Sequence, residues 1–301
     1  MNGKINHLSQ ICSVKKLTYS SGKAKGLEVY LVNNGVLQFE VLADKGLEIG
    51  QLYHKGTNIS CSSANGLCSF NGEFEDVFNV GMLYTCGLDT FGGRAMPIHG
   101  KFHNIPAEIT TCKCDENGVI IVGEIYQTSL FGDKLKVERT IKTKINSNEV
   151  EISDKIINLG YTDAKYCVLY HTNIGYPMLD EGVKIIAPIT ETVSRNEYCK
   201  KYQDSCLQIE DDENGKEEYV YFHKVKKGEV KVVNEKLNKQ VLVSYDNQKL
   251  PYFIEWKSMM SGAYALGIEP ATATLDDEFE LKNLSPKECV EMGIKIKIEE
   301  I

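Results

Sequence analysis

Apolar and polar residues alternate one for one along much of this chain. Leu135, Val137 and Ile141 interleave with Lys136, Glu138 and Thr140. The stretch Glu149-Val-Glu-Ile-Ser repeats the pattern, and Ile294-Lys-Ile-Lys-Ile298 carries it near the C-terminus. A period of two belongs to a strand with one buried face and one wet face. The runs Val36–Leu42 and Gly118–Gly123 are more evenly apolar and also read as strands. Gly, Asn and Asp fall between the runs as turn signals, at Asp44–Gly46, Asp115–Gly118 and Asp211–Gly215. Helical periodicity is scarce, with a short amphipathic piece near Ile5–Ile11 as the exception. Helices do not alternate with strands, which disfavours a parallel βαβ fold. The acidic stretch Glu210–Glu218 reads as a solvated loop or strand edge. With no repeat of fixed period and no low-complexity linker, the expectation is one all-β domain over residues 1–301, antiparallel, with few short helices.

Composition narrows the functional classes. The 301 residues are 42% hydrophobic, enough for a large core. The formal net charge of −8 disfavours nucleic acid or an anionic membrane surface as partner, because both call for clustered cations. It also gives no broad basic field for a phosphorylated substrate, although one local arginine suffices for a phosphate. No apolar run approaches the roughly 20 residues of a membrane span. The polar start MNGKINHLSQ lacks the features of a secretory leader, so a cytoplasmic location with reduced cysteines is expected. Cys112 and Cys114 form an isolated C-x-C, and His99 and His103 stand four apart around Gly100, between the flanking Pro97 and Pro106, with no glutamate beside the first. Neither pattern meets the requirements of a zinc site. No glycine-rich phosphate loop is present, and no metal or organic cofactor is signalled.

Three polar clusters hold the candidate chemistry: HGKFHNIPAE (His99–Glu108), YHTNIGYP (Tyr170–Pro177) and GIEP (Gly267–Pro270). The first adjoins Leu88–Gly100, a segment too rich in glycine and proline for a regular strand and suited to a loop that shapes a pocket. Asp89, Arg94 and His99 lie in it. Arg94 can fork two hydrogen bonds to vicinal sugar hydroxyls or to a carboxylate, or it can brace the loop against Asp89. In Tyr166–His171 the alternation puts Cys167, Leu169 and His171 on one face, with His171 at the strand end. Such a histidine is either a satisfied core residue or a catalyst. In Tyr264–Pro270, the small residues Ala265 and Gly267 share a face with Glu269 and leave a groove beside it. Pro270 holds Glu269 extended and is expected to end the hydrogen-bond ladder. Shielding there raises the carboxyl pKa and makes it a better base near neutrality, unless Glu269 is merely salt-bridged at a sheet edge. Trp256 is by default a core aromatic, and otherwise a platform for a sugar.

Taken in order, GLEIG (Gly46–Gly50), TCGLD (Thr85–Asp89), IHG with HNIPAE, YHTNIGYP, VYFH (Val220–His223), EWK (Glu255–Lys257) and GIEP resemble aldose 1-epimerase-like proteins. The resemblance is to a bacterial branch of the galactose mutarotase-like superfamily. It runs from about Gly46 to the C-terminus, where LSPKECVEMGIKIKI is similar to the closing strands. It implies a large antiparallel β-supersandwich and a cofactor-free isomerase acting on a free monosaccharide. By resemblance Glu269 takes the proton of the anomeric hydroxyl, His171 protonates the ring oxygen and His99 supports on the ring side, with the choice of donor between the two histidines open. Arg94, Asp89, Asn104, His223, Trp256 and Lys257 would surround the sugar. Two patterns depart from the family: YHTNIGY replaces NH-x-Y, and the arginine-bearing NR motif is not present in that form. A non-catalytic carbohydrate-binding protein is the alternative. An enzyme for a sugar phosphate or modified sugar is another, favoured if Arg94 and Lys257 converge on one end of the pocket. The sequence leaves the oligomeric state open, a homodimer included.

Overall fold

The computed structural model describes residues 3–92, 97–276 and 279–301. Its strands form two antiparallel sheets. The larger, of twelve strands, runs in spatial order Ser13–Thr18, Glu28–Asn33, Leu37–Leu42, Glu48–His54, Leu83–Leu88, Ala164–Ile174, Ala265–Ala271, Tyr252–Ser258, Tyr219–Val225 and Ile189–Ser194, with Thr57–Asn58 and Lys282–Leu284 paired off this path. The smaller, of eight, runs Lys184–Ile186, Glu229–Asn234, Lys239–Tyr245, Cys289–Glu300, Glu149–Asn158, Lys134–Thr143, Gly118–Thr128 and Glu108–Asp115. Each of the runs read above as a strand falls on one of these elements, with Val36 just before the start of its own. Helices are confined to single turns such as Leu8–Gln10, Phe74–Val77 and Phe102–Asn104. The first lies within the amphipathic piece expected near the N-terminus. No helix among the described residues is long and apolar enough to cross a membrane.

Alternation builds the core. In Lys134–Thr143 the residues Leu135, Val137 and Ile141 are buried while Lys136, Glu138 and Thr140 are half-buried. Their buried face meets Phe39, Val41, Ile49 and Leu52 of the larger sheet in one continuous cluster. Each fully buried aliphatic side chain contributes roughly 1.5–3 kcal/mol. A second cluster, containing Cys86, Phe91, Cys167, Leu169, Val220 and Ile254, lies on the other face of the larger sheet. Because successive side chains on a strand point to opposite faces, the larger sheet has an inner face turned to the smaller sheet and an outer face with its own apolar floor.

A charge sits inside the core. Arg139, fully buried, shares the inward parity of Val137 and Ile141. Its Nε donates to Asp154 Oδ1 at 2.8 Å, and its Nη2 donates to Asp154 Oδ2 at 2.6 Å and to Thr85 Oγ1 at 2.9 Å. Nη1 donates to the Gly46 carbonyl at 3.0 Å and lies 3.1 Å from Glu48 Oε1. Tyr170 donates to Asp154 Oδ2 at 2.8 Å. The network joins two strands of the smaller sheet to three of the larger one. Burial opposes the Arg139 charge, but Asp154 and Glu48 raise its pKa above the ordinary arginine value.

Two local expectations are corrected. His171 does not end its strand, which continues to Ile174. Pro270 does not end its strand either, since Ala265–Ala271 runs through it. Pro270 instead interrupts the ladder on one side. Leu169 pairs with Ala271 and Thr172 with Ile268, with no partner pair between them, where proline has no N–H to give.

Candidate active site

The same register sets His171 directly opposite Glu269 on the outer face of the larger sheet. Cross-strand neighbours bring their Cβ atoms to about 4.5–5.5 Å, and here His171 Nε2 lies 3.2 Å from Glu269 Oε1. Space for the pair comes from Gly267. A Cβ on that residue would stand 2.3 Å from Glu269 Oε1 and 3.0 Å from His171 Cε1. The groove expected beside Ala265 and Gly267 is thus the room that the carboxylate itself occupies.

His99 arrives from the loop after Leu83–Leu88. Its φ of 63° is rare for a residue with a side chain, and Gly100 follows with a φ of 75°. A Cβ on Gly100 would meet the Thr90 carbonyl at 2.3 Å and the Gly87 carbonyl at 2.4 Å, so this turn admits only glycine there. The turn brings the His99 ring to 5.6 Å from the His171 ring, edge to face. Phe74 packs edge-on against His99 at 4.8 Å, and Phe78 and Trp256 lie 6.0 and 5.5 Å from His171. His99, His171, Glu269, Phe74, Phe78 and Trp256 all line one cavity of about 960 Å³. His99 Nδ1, His171 Nδ1 and Glu269 Oε1 are buried without a protein hydrogen-bond partner.

This apolar wall sets the protonation states. Burial, then the Glu218 charge, pushes the Glu269 carboxyl well above the ordinary carboxylate range, with Arg195 pulling the other way. Burial, then the neighbouring His99, holds His171 well below the usual histidine value. Burial, then Arg195, lowers His99 to about 4, and burial, then His99 and Lys45, lowers His103 to about 3. An unfolded chain takes up these last two protons near pH 6.5, while the folded chain stays neutral until much lower pH. Stability from His99 and His103 is therefore full above pH 6.5 and is lost as the pH falls toward 4, by up to about 1.4 kcal/mol per pH unit for each. The thermal midpoint should drop steadily between pH 6.5 and 5, and His103→Gln should flatten that slope. An unchanged slope in the variant would contradict the assignment.

The other residues singled out from sequence divide. Trp256, expected by default in the core, stands in the cavity wall, and its Nε1 donates to Glu218 Oε2 at 2.7 Å. Arg94 lies outside the described residues. Asp89 is half-buried with its Oδ2 3.3 Å from Lys101 Nζ and does not line the cavity. Asn104 also lies off the cavity. It accepts from Lys45 Nζ at 3.0 Å, and its Nδ2 is 2.9 Å from His103 Nε2.

His223 and Lys257 are on the wrong face. Val220 and Trp256 point outward into the cavity, so His223 and Lys257, an odd number of residues away, point inward. His223 is fully buried between Glu255 Oε2 and Thr192 Oγ1, each at 3.0 Å. Lys257 Nζ donates to the Cys206 and Gln208 carbonyls at 2.5 and 3.2 Å and lies 3.5 Å from Glu255 Oε1. Cys206, His223 and Glu255 bring one ligand-type atom each within 4.8 Å of one another, but the Lys257 ammonium already faces that carboxylate. The convergence of Arg94 and Lys257 that would have favoured a sugar phosphate fails for Lys257.

Sequence reasoning missed Arg195 and Glu218, which both line the cavity. Arg195 forks to Asp276, Nε to Oδ2 at 3.1 Å and Nη2 to Oδ1 at 3.2 Å, and lies 3.6 Å from Glu218. Glu218 falls in the acidic stretch that reads as solvated, although it stands next to the strand that carries Val220. For Arg195 the sequence offers no motif.

The fold is that of galactose mutarotase-like proteins, with solved structures aligning over nearly the whole chain. A Klebsiella pneumoniae subsp. pneumoniae protein described provisionally as an aldose 1-epimerase is 20% identical, covering 95% of this chain and 83% of its own, with a TM-score of 0.85. A galactose mutarotase-like protein from Clostridium acetobutylicum is 14% identical over 97% of this chain and 100% of its own, with a TM-score of 0.73. A galactose 1-epimerase from Lactobacillus acidophilus NCFM is 11% identical over 96% and 99%, with a TM-score of 0.67. Among curated proteins, none matches this sequence. The chain belongs to the family described as a domain of unknown function, DUF4432, whose profile spans residues 24–293.

Proposed function

We propose that this protein is an aldose 1-epimerase, interconverting the α and β anomers of a free sugar by acid–base chemistry through ring opening. The observation that carries this reading is the Glu269–His171 pair at 3.2 Å, walled by aromatic rings beside a second imidazole. The anomeric oxygen and the ring oxygen are bonded to the same carbon, so a base for one and an acid for the other must stand within a few ångströms of each other. The pair provides both partners in the state in which His171 carries a proton and Glu269 does not.

In this reading Glu269 accepts the anomeric hydroxyl proton as the bond from C1 to the ring oxygen breaks, and His171 gives its proton to that oxygen. The product is the open-chain aldehyde. Rotation about C1–C2 and reversal of both transfers close the ring with the other face presented, and the enzyme regains its starting protonation. His99 orients the sugar from the ring side, and Arg195 and Glu218 offer charged partners to its hydroxyls. Positioned proton transfer of this kind gives typically about 10²–10⁴-fold per group. Desolvation strengthens it, because donors and acceptors act in a low-dielectric wall.

Polarimetry or NMR exchange on freshly dissolved α-sugars tests the reading. Exchange should accelerate for at least one aldose. The pH profile should lack the limb near pH 6.5 that a free imidazole would give, because burial holds His171 well below and Glu269 well above their ordinary ranges. Saturable sugar binding with an unchanged exchange rate would establish a carbohydrate-binding protein instead.

A further inference from the structure

Cys114, the second thiol of the C-x-C, packs against the core and meets a third thiol there. The Sγ atoms of Cys114 and Cys12 are 3.5 Å apart. Cys12 is buried, Cys114 half-buried and Cys112 exposed. Hydrogen bonds hold both backbones in place. Cys12 N donates to the Leu8 carbonyl at 2.9 Å, where the turn Leu8–Gln10 passes into the strand Ser13–Thr18. Cys114 pairs with Val119 across a hairpin, and the hairpin's turn is fastened by Asn117 N donating to Asp115 Oδ1 at 2.8 Å.

The contact spans an edge of the sandwich. Ser13–Thr18 is the first strand of the larger sheet, and Glu108–Asp115 is the last of the smaller one. The two strands approach each other but belong to different sheets and share no ladder. A covalent link at this point would fasten one sheet to the other. It would also tie down a segment that precedes the residues matched by the family profile, 24–293. The geometry is close to what such a link needs. Bonded sulfurs stand about 2.05 Å apart, so the pair has only about 1.5 Å to close, within reach of side-chain rotation. Cys112 is a poorer partner for Cys114. Two residues apart on an extended strand, their Cα atoms are separated by about 6.6 Å, near the limit that a disulfide bridges.

We propose that Cys12 and Cys114 are a reversible modification site, joined by a low-molecular-weight disulfide as oxidant into a bond that staples the edge strands of the two sheets. In a reducing compartment both remain thiols. Cys12 keeps its proton, pushed up to about 12 by burial first and then by Cys114 and Asp115. The half-buried Cys114 therefore reacts first. It gives up its proton, and its sulfur attacks one sulfur of the small disulfide. That S–S bond breaks, and the departing thiolate takes a proton. Cys12 then gives up its proton and attacks the Cys114 sulfur, expelling the second small thiol in the same way. Two protein thiols are oxidised, and one small disulfide is reduced to two thiols. Neither cysteine lines the cavity, so the site stands apart from the reading of Glu269 and His171.

Peptide mass mapping of the full chain tests this, after equilibration with oxidised glutathione, acid quenching and alkylation of the remaining thiols in denaturant. The peptides of Cys12 and Cys114 should be found joined, and dithiothreitol should separate them. Because the bond links residues 102 apart in sequence, it should raise the thermal midpoint. The rise should be roughly 5–10 °C, less than the entropy of so long a loop allows, because the thiols must be drawn together. Cys112→Ser should keep both results, and Cys114→Ser, treated identically, should lose both. Peptides that stay unlinked, glutathione retained on Cys114, or a link from Cys112 to either of the other two would overturn the proposal. A link between Cys12 and Cys114 without a rise in midpoint would overturn its role as a staple.

Discussion

Glu269→Gln should lower anomer exchange by about 10²–10⁴-fold, the contribution of a positioned proton-transfer group, and the variant should be at least as stable as the native protein. The second half is the discriminating one. Glu269 is buried and its pKa is driven upward by that burial, so the native carboxyl carries a desolvation penalty that a neutral amide of the same shape lacks. A structural ion pair behaves the other way, because neutralising one partner leaves the other buried and uncompensated. His171→Asn should lower the rate to a similar degree. The double variant should lose little beyond either single one, since the two groups act as a unit. Exchange kinetics with thermal midpoints measured on all three proteins decide the matter. Native rates in Glu269→Gln, or a large fall in its midpoint, would remove Glu269 from the role of base.

Much of this arrangement is legible in the amino-acid sequence. Period-two alternation identifies the strands, and the same parity sets His171 in line with Cys167 and Leu169, and Glu269 in line with Ala265 and Gly267. Parity does not supply register. That His171 faces Glu269 follows from the pairing of Leu169 with Ala271, a long-range match that no local pattern encodes. Parity also excludes two of the expected sugar contacts. Trp256 and Lys257 are adjacent on one strand and cannot line the same cavity, and the same rule removes His223 once Val220 is seen to face outward. The motifs GLEIG and TCGLD serve the core rather than the sugar: Gly46, Glu48 and Thr85 all contact Arg139. Arg139 itself sits at an apolar parity between Val137 and Ile141, and Asp154 sits likewise between Ile152 and Ile156. A charge at an inward position is the informative exception in such a pattern. Arg195 carries no such signal, because it lies past the end of a strand, where periodicity says nothing about direction.

That exception carries the second large expected effect. Arg139→Met should destabilise the fold by about 3–5 kcal/mol, because it leaves the Asp154 carboxylate buried without its cation, and removes the charge that offsets the burial pushing Glu48 up to about 7. At roughly 2–4 °C per kcal/mol for a domain of about 200 residues, a little smaller than this chain, the thermal midpoint should fall by roughly 10 °C. Combining Arg139→Met with Asp154→Asn and Glu48→Gln should recover much of the loss, since the cost lies in the unpaired charges rather than in the missing contacts. Urea unfolding of the native, single and triple variants measures this directly. A single variant within about 1 kcal/mol of native would mean that water already reaches these carboxylates and weakens the charges by solvation. The effect should reach the site as well. Tyr170, whose hydroxyl is fixed by Asp154, is the residue before His171 on the same strand. The inner face of that strand is held by the buried charges while its outer face presents the imidazole. At a temperature where Arg139→Met remains folded, its exchange rate should therefore fall by less than that of His171→Asn but more than its folded fraction alone accounts for, as expected when a proton donor is displaced rather than removed.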